Sequence, residues 1–597
     1  MATKKKKIVI KDWSKGTDLS RGDKSLTPGK NIEARNMIYN LEGGCLTARQ
    51  YEDIGIDWGE DDKGIDGAFI MDAFPDVLWV AVNGKIKYAD ISVNPQSSAT
   101  VYEADTGLSL TAGNAMIWAE YRNTLYFGNG VNNLGRLAVA RLDTQLETSD
   151  GTAELEDGQG FNFTNGSDKF YVEGDEVDYT AVSSAGVGDD LTTCTNIGAT
   201  HAAGAYVTQY NTITAPSSGS LKASSLAIWR NTLFYSASDE DGIVRYGKTV
   251  ATFGNITSGN LHDFSDGNNF ASAEGGAVTA LWGAGDGQGN RIYIFQAKKV
   301  FFVGIEITST GTEAFSPVRI FTPNYGCPNQ HCVISMENVV VFWTGKRCIQ
   351  IRFEPNTAQL VPDETFDEDI AEEFRTADDS QVISRLHYNE TDKRVYITFQ
   401  KNNLRTTAVR DNKRKKWAYP WDIDASVYVS RGKFSYIGDP DNDKIHKLGE
   451  SLSFDGRDVT YRLFSGRIAG DNRKHKLFTK GRIEGKIREG TSVTFGSYVN
   501  SALHGGYRQI SETTSDTLTT IGDSSTAGYA GMSATVGGGG TLDVGSGKKD
   551  FVYSFTVGKR GEDIAFSFST LDDGSEWEIN YAEIEYIEYD IRASKHY

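Results

Sequence analysis

Paired apolar runs separated by short polar turns recur along most of the chain. Val77-Leu-Trp-Val-Ala-Val82 is followed by Asn83-Gly84 and then by Lys85-Ile-Lys-Tyr-Ala-Asp-Ile91. That spacing predicts a β-hairpin with a type I′ turn, whose two central residues both need positive φ. Similar pairs stand at 291–303, at 339–351, at 394–399 with 406–410, and at 433–438 with 444–448. One phrase is used twice: Tyr121-Arg-Asn-Thr-Leu-Tyr-Phe-Gly128 and Trp229-Arg-Asn-Thr-Leu-Phe-Tyr-Ser236. In both, an aromatic precedes Arg-Asn, and Leu with two aromatics follows, a composition suited to a half-buried pleated surface. The series of about seven hairpins predicts an all-β chain built around a β-propeller of about six to eight blades, where radial repetition protects sheet edges. An elongated stack of β-sandwiches would also alternate this way, but would less naturally repeat one phrase at the same place in successive units.

The pattern changes twice. Between Leu142 and Leu221 the text turns to Gly, Ser, Thr and Asp, which predicts a small β module inserted in a blade loop, where insertions are tolerated. The two copies of the phrase would then belong to neighbouring blades pushed apart by the module. From Ser453 onward, alternating runs such as Val459–Phe464, Asp550–Phe555, Ile564–Phe568 and Trp577–Tyr581 predict a β-sandwich. A Gly, Ser and Thr-rich excursion at 500–548 interrupts it as a long loop or flap. The resulting division is an N-terminal arm with the first blades at 1–141, the inserted module at 142–221, the remaining blades at 222–452 and the sandwich at 453–597. One helix is expected at Asp363–Phe374, where Phe366, Ile370 and Phe374 fall four apart and acids favour the start. It reads as a connector between blades, with an acidic ring element or cation site as the functional alternative.

Composition narrows the function classes. The 64 glycines against 11 prolines, with 28 Tyr, 29 Phe and 10 Trp, favour strands and tight turns. No run of about 18 apolar residues predicts a membrane-spanning helix. The start, Met1-Ala-Thr-Lys-Lys-Lys-Lys-Ile-Val-Ile10, lacks the apolar stretch of a secretory signal, so synthesis in a host cytoplasm is expected. Cys45, Cys194, Cys327, Cys332 and Cys348 are too few and too scattered for a disulfide framework and read as reduced. A formal charge of −19 argues against a protein that grips duplex DNA, yet acidic walls would let DNA slide past without sticking.

No catalytic constellation stands out, and no catalytic, cofactor or metal residues are assigned. Gly242-Ile-Val-Arg-Tyr-Gly-Lys-Thr249 matches a phosphate-binding loop by letter, but it follows polar Asp239-Glu-Asp241 and no helix pattern comes after it. Cys327 and Cys332 bracket His331 without a second pair of zinc-type ligands, so buried or idle thiols are the simpler reading. The Asp439-Pro-Asp-Asn-Asp443 turn alternates carboxylates and could hold Ca²⁺, although it lacks the Gly and distal Glu of an EF-hand loop and suits a plain hairpin turn. Thr570-Leu-Asp-Asp-Gly-Ser-Glu-Trp577 resembles the Asp-box turn of sialidase-type propellers at Asp572, Gly574 and Trp577, a structural turn even in enzymes. The basic runs Lys4 to Lys7 and Lys413 to Lys416 could meet nucleic acid or an acidic neighbour, or simply face solvent.

Several of these segments, taken in order, resemble one family. Asn36-Met-Ile-Tyr-Asn-Leu-Glu-Gly-Gly-Cys-Leu-Thr-Ala-Arg49 is similar to the "Asn … Gly-x-Leu-x-x-Arg" opening of phage tail proteins of the nozzle, or tail tubular protein B, type. The blade phrase at Trp229–Ser236 followed by Asp263-Phe264 is similar to that family's "Arg-x-x-Phe-x-Ser" segments. So is the passage from Trp417 through Tyr436–Asp439, Lys444–Leu448 and Phe454-Asp-Gly456 to Lys476. Gly174–Thr180 and His201–Ala205 look like a small β module common in phage structural proteins. The resemblance implies a non-enzymatic virion protein of a short-tailed phage, forming a ring, commonly of six copies, at the distal tail. Its lumen would conduct and gate DNA, and its partners would be other tail proteins such as an adaptor and fibres. The alternatives are a tail propeller that binds or depolymerises host-surface glycan, and a head-to-tail or baseplate component.

Overall fold

The computed structural model describes residues 5–588 except 20–27, 29, 41, 161–162, 164–167, 184–189, 248–262, 266, 272–275, 286–289, 308, 310–312, 338, 355–358, 433, 450–458, 470–474, 489–490, 513–517, 522–526, 530–548 and 573–575. The described chain is all-β, its strands paired in antiparallel sheets. Six four-stranded sheets and one extended sheet succeed one another, and in five of them the strands lie side by side in sequence order. They span 65–104, 117–141 completed by Tyr206–Tyr210, 223–271, 278–322, 333–363, 385–421 and 427–448. The seventh takes its fourth strand from far upstream: Tyr51–Asp53 pairs with Ile445–Leu448.

First strands of most successive sheets pack on each other. Ile117–Tyr121 lies against Ala223–Trp229, which lies against Val278–Ala284; Val333–Met336 lies against Arg385–Asn389, then Val427–Arg431, which packs on Ile65–Ile70 of the first sheet. The first and second sheets are tied by the Met116 N–H, which donates to the Asp66 carbonyl at 2.8 Å. Between the third, fourth and fifth stands Gln330, whose Nε2 donates to the carbonyls of Leu226 (3.2 Å) and Leu281 (2.9 Å) while its Oε1 accepts from the Leu281 N–H at 2.9 Å.

Burial explains which strands the sequence announces. Val77–Val82, Thr124–Gly128 and Thr232–Ala237, each second in its sheet, are buried at every position, as expected where both faces of a strand are covered. Fourth strands such as Asn269–Ala271 are largely exposed and carry no such run. Asn83 (φ +49°) and Gly84 (φ +75°) form the expected I′-type corner. In the doubled phrase the arginines adopt the left-handed conformation that asparagine tolerates, with Arg122 at φ +53°, Arg230 at +47° and Asn231 at +57°. Both copies close the first hairpin of neighbouring sheets, the second and third.

The inserted segment leaves after Gly135–Arg141 and returns as Tyr206–Tyr210, so it sits between the third and fourth strands of the second sheet. Asp168–Val172 and Asp175–Tyr179 extend that sheet, while Thr152–Glu154, Ala181–Ser183 and Asp190–Thr192 form a separate three-stranded one. The module has its own core, including Leu142, Leu146, Phe170, Val177 and Leu191. Buried His201 clips it, with Nδ1 2.9 Å from Glu173 Oε2 and Nε2 3.0 Å from Asp175 Oδ2.

In the C-terminal part of the chain, two sheets share one core. One is centred on Lys476–Ile487, Lys549–Gly561 and Trp577–Glu588, the other on Val459–Ser465, Ser492–Val499 and Ile564–Asp572. The N-terminal arm, which precedes the first sheet in sequence, pairs with these C-terminal strands: Lys6–Ile10 and Cys45–Thr47 with Trp577–Glu588, and Asn31–Arg35 with Val459–Ser465. The basic start is neutralised there by Lys5–Glu585 (3.4 Å), Lys6–Glu588 (2.8 Å) and Lys7–Glu583 (3.1 Å); Lys4 lies outside the described residues. The expected helix at Asp363–Phe374 shrinks to a 3₁₀ turn at Glu368–Ile370 and a short helix at Ala371–Arg375. Its apolar face is nonetheless buried: Phe366 and Phe374 meet the Trp417 ring edge-on, at centroid distances of 5.9 and 5.6 Å. Acids fill much of the segment, and a full helix would repeat like charges at close spacing.

Candidate functional site

The chain crosses itself where the seventh sheet meets the first. Residues 54–64 run from the strand Tyr51–Asp53 to Ile65–Ile70 and pass over the 439–443 turn. The Ile65 N–H donates to the Asp439 carbonyl at 2.9 Å. Gly64 allows this approach, since a Cβ there would lie 1.9 Å from the Pro440 oxygen.

This crossing gathers charge. Asp439, first of the turn flagged as a calcium candidate, uses Oδ1 to accept the N–H groups of Asp441 (2.8 Å) and Asn442 (3.0 Å), an Asx-type cap. Burial would raise its carboxyl, but His446 and those two amides win and hold it at about 2. Asp443 turns away from that cap. One of its oxygens accepts the Glu60 N–H at 3.0 Å, and its carboxylate lies with those of Asp57 and Asp61 so that one oxygen from each falls within 4.8 Å of the others. Among the described residues this is the one group of three carboxylate, thiol or imidazole ligands so placed. Three carboxylates supply part of the shell of six to eight oxygens that Ca²⁺ takes. Sequence reasoning reached Asp443 and missed Asp57 and Asp61, although the acidic run Asp57-Trp-Gly-Glu-Asp-Asp62 was there to be joined to it. Beside them Glu60 accepts from Asn83 Nδ2 (2.7 Å), Lys87 Nζ and Lys85 Nζ (both 2.9 Å), which together hold its carboxyl at about 2.

Asp66, a few residues further on, behaves oppositely. Burial pushes its carboxyl up to about 6, with the Gly113 N–H at 3.1 Å opposing. A raised folded pKa means that the folded chain holds the proton more tightly than the unfolded one. The associated stability is complete below about pH 4 and is lost as pH rises through about 6. Asp66→Asn is therefore expected to raise the melting temperature above pH 6 and to leave it unchanged below about pH 4, as thermal melts across that range would read.

The other flagged residues are structural in their surroundings. Cys327, Cys332 and Cys348 are buried, and burial pushes all three thiols up, Cys332 to about 12. Cys332 Sγ donates to the Ser384 carbonyl at 3.4 Å, while burial and nearby Arg385 drive His331 well below its usual range. Ile243–Tyr246 is a ladder strand paired on both sides, so the phosphate-loop match has no loop where its middle should lie; Lys248 and Thr249 fall outside the described residues. In the Asp-box resemblance Thr570 and Trp577 are buried in C-terminal strands, and Gly574 lies outside the described residues. The run at Lys413–Lys416 is a turn leading into the strand Lys416–Trp421; Arg414 pairs with Asp411, and Lys416 with Asp369 at 3.7 Å.

A second concavity, of about 340 Å³, opens between the first sheet and the inserted module. Glu103, Asp105, Lys85 and Tyr171 line it, with Tyr171 Oη donating to Glu176 Oε2 at 2.7 Å.

No protein-family model matches the chain, and no curated protein matches it. Among solved structures it is similar to the computationally designed Ika8 protein, with 10% identity over 67% of this chain and 100% of that one and a TM-score of 0.32. It is similar to apo AztD from Citrobacter koseri, with 10% identity over 65% and 90% and a TM-score of 0.27. It is also similar to Hsv2 of Kluyveromyces lactis, with 10% identity over 60% and 97% and a TM-score of 0.23.

Proposed function

We propose that the chain is a structural virion protein of a tailed phage, a β-propeller subunit that assembles into a ring at the distal tail through which DNA passes. The observation that carries this reading is the order of parts. Seven sheets follow one another, five of the neighbouring pairs with their first strands in contact, the last sheet closed by upstream residues 51–53. A module is spliced between the third and fourth strands of one sheet, and a flanking sandwich is built from both ends of the chain.

The charge supplies the mechanism. Six copies at −19 each would carry roughly −114, and acidic walls repel phosphate over a Debye length of about 8 Å at physiological salt. DNA then slides without being captured. The expected result of a gel-shift titration at physiological salt is no retention of duplex DNA by the purified protein. Sub-micromolar binding would contradict a repulsive conduit.

A second reading, recognition of host-surface glycan, is favoured by the concavity where Tyr171 stands beside Glu103 and Asp105. An aromatic face with carboxylate acceptors suits a sugar ring. Binding of surface polysaccharide that is lost in Tyr171→Ala would support it, and binding indifferent to that change would remove its basis.

A further inference from the structure

A different cavity carries an inference beyond the conduit. Its volume is about 270 Å³, and it opens where the first strands of four sheets begin: Ile65 of the first, Ala115 ahead of the second, Arg385 of the sixth and Ser426 ahead of the seventh. Lys63, Arg385 and Arg405 line it together with Asp66 and an apolar surface of Ile65, Val382 and Pro440.

Three cations against one carboxylate is unusual in a chain with 80 acids and 61 lysines and arginines. Arg385 is only 7% exposed. Its Nε donates to the Ser426 carbonyl at 2.5 Å, and its Nη1 to the carbonyls of Val382 (3.1 Å) and Ser384 (2.9 Å). These bonds fix the plane of the guanidinium and spend no carboxylate. Among the described residues neither Arg385 nor Lys63 has an acidic partner, whereas Arg405 Nη1 meets Asp424 Oδ1 at 3.1 Å. Burial draws the Arg385 pKa down to about 10, with the nearby Cys332 thiol opposing and the like charge of Arg405 adding to the fall. A buried cation without a counter-charge is costly, and with Nε and Nη1 spent on carbonyls the Nη2 hydrogens of Arg385 remain to donate to one oxygen of a carboxylate or phosphate.

We propose that this cavity is a binding site for a small organic oxyanion, a carboxylate or phosphate held by Arg385 and Arg405, with Lys63 adding charge. A cavity of about 270 Å³ has room for a small organic anion as well as for inorganic phosphate. The apolar side at Ile65, Val382 and Pro440 accommodates a short carbon skeleton.

Calorimetric titration of the full chain at low ionic strength, with citrate and separately with inorganic phosphate, tests the assignment. Saturable binding of either at one molecule per chain is expected, citrate alone indicating a carboxylate and phosphate alone a phosphate ligand. Arg405→Gln and Arg385→Gln should each weaken it by about tenfold or more, Lys63→Gln less, and Lys413→Gln not at all. Arg385 also braces three carbonyls, so circular dichroism checks that variant. If it misfolds, Arg405→Gln and Lys63→Gln decide. Absence of saturable binding by both anions, or binding unchanged in the folded arginine variants, would overturn the site.

Discussion

Replacing Asp367 by alanine is expected to destabilise the protein by about 3–5 kcal/mol, the range found when one partner of a buried ion pair is removed. Asp367 is fully buried and accepts from Arg347 at three points, Nε to both oxygens at 2.9 Å and Nη2 to Oδ1 at 2.7 Å, and from the Cys348 N–H at 2.8 Å. Burial pushes the carboxyl up while Arg347 and the amide pull it back, so its charge depends on these donors. Alanine leaves a mostly buried guanidinium with the Glu364 carbonyl (2.7 Å) but no carboxylate, and a buried amide without its acceptor. Asparagine keeps an acceptor for the amide and should cost less. The ordering wild type, Asp367→Asn, Asp367→Ala in urea or thermal midpoints checks the account; an alanine variant as stable as wild type would show that the pair holds nothing in place.

Trp13→Ala should cost a similar amount, about 3–5 kcal/mol, for a different reason. Trp13 has no exposed surface and meets Phe568 edge-on at 5.8 Å, so its loss opens a cavity between the N-terminal arm and the C-terminal sheets. The damage should be local. Amide hydrogen exchange is expected to quicken in Lys476–Ile487 and Ser492–Val499 while Val339–Trp343 and Arg394–Lys401 keep their protection. Uniform quickening throughout would mean that the arm is not specific to the sandwich.

What the sequence made legible follows burial. Strands covered on both faces, such as Val77–Val82 and Val339–Trp343, are near-continuous apolar runs and stand out unaided. First strands such as Ile117–Tyr121 carry polar residues at positions of intermediate exposure, and outer ones such as Arg319–Thr322 are exposed in their first half, so neither shows a clear period. The Leu142–Leu221 module was legible as a break in the repeat, but its splice point was not, because Tyr206–Tyr210 reads as module text while pairing as the fourth strand of a sheet. The pairing of residues 6–10 with 582–586 is a contact across nearly the whole chain, and local pattern holds no trace of it. The same holds for the acidic trio: Asp443 was visible in its turn, whereas Asp57 and Asp61 join it only because the chain closes on itself there.

The central claim is assembly into a ring with an acidic bore, and electron microscopy of the purified protein tests it most directly. The account predicts ring-shaped particles, commonly of six copies, with a central hole wide enough for duplex DNA and a bore dominated by carboxylates. Monodisperse single chains, or rings whose bore is lined by lysine and arginine, would contradict it.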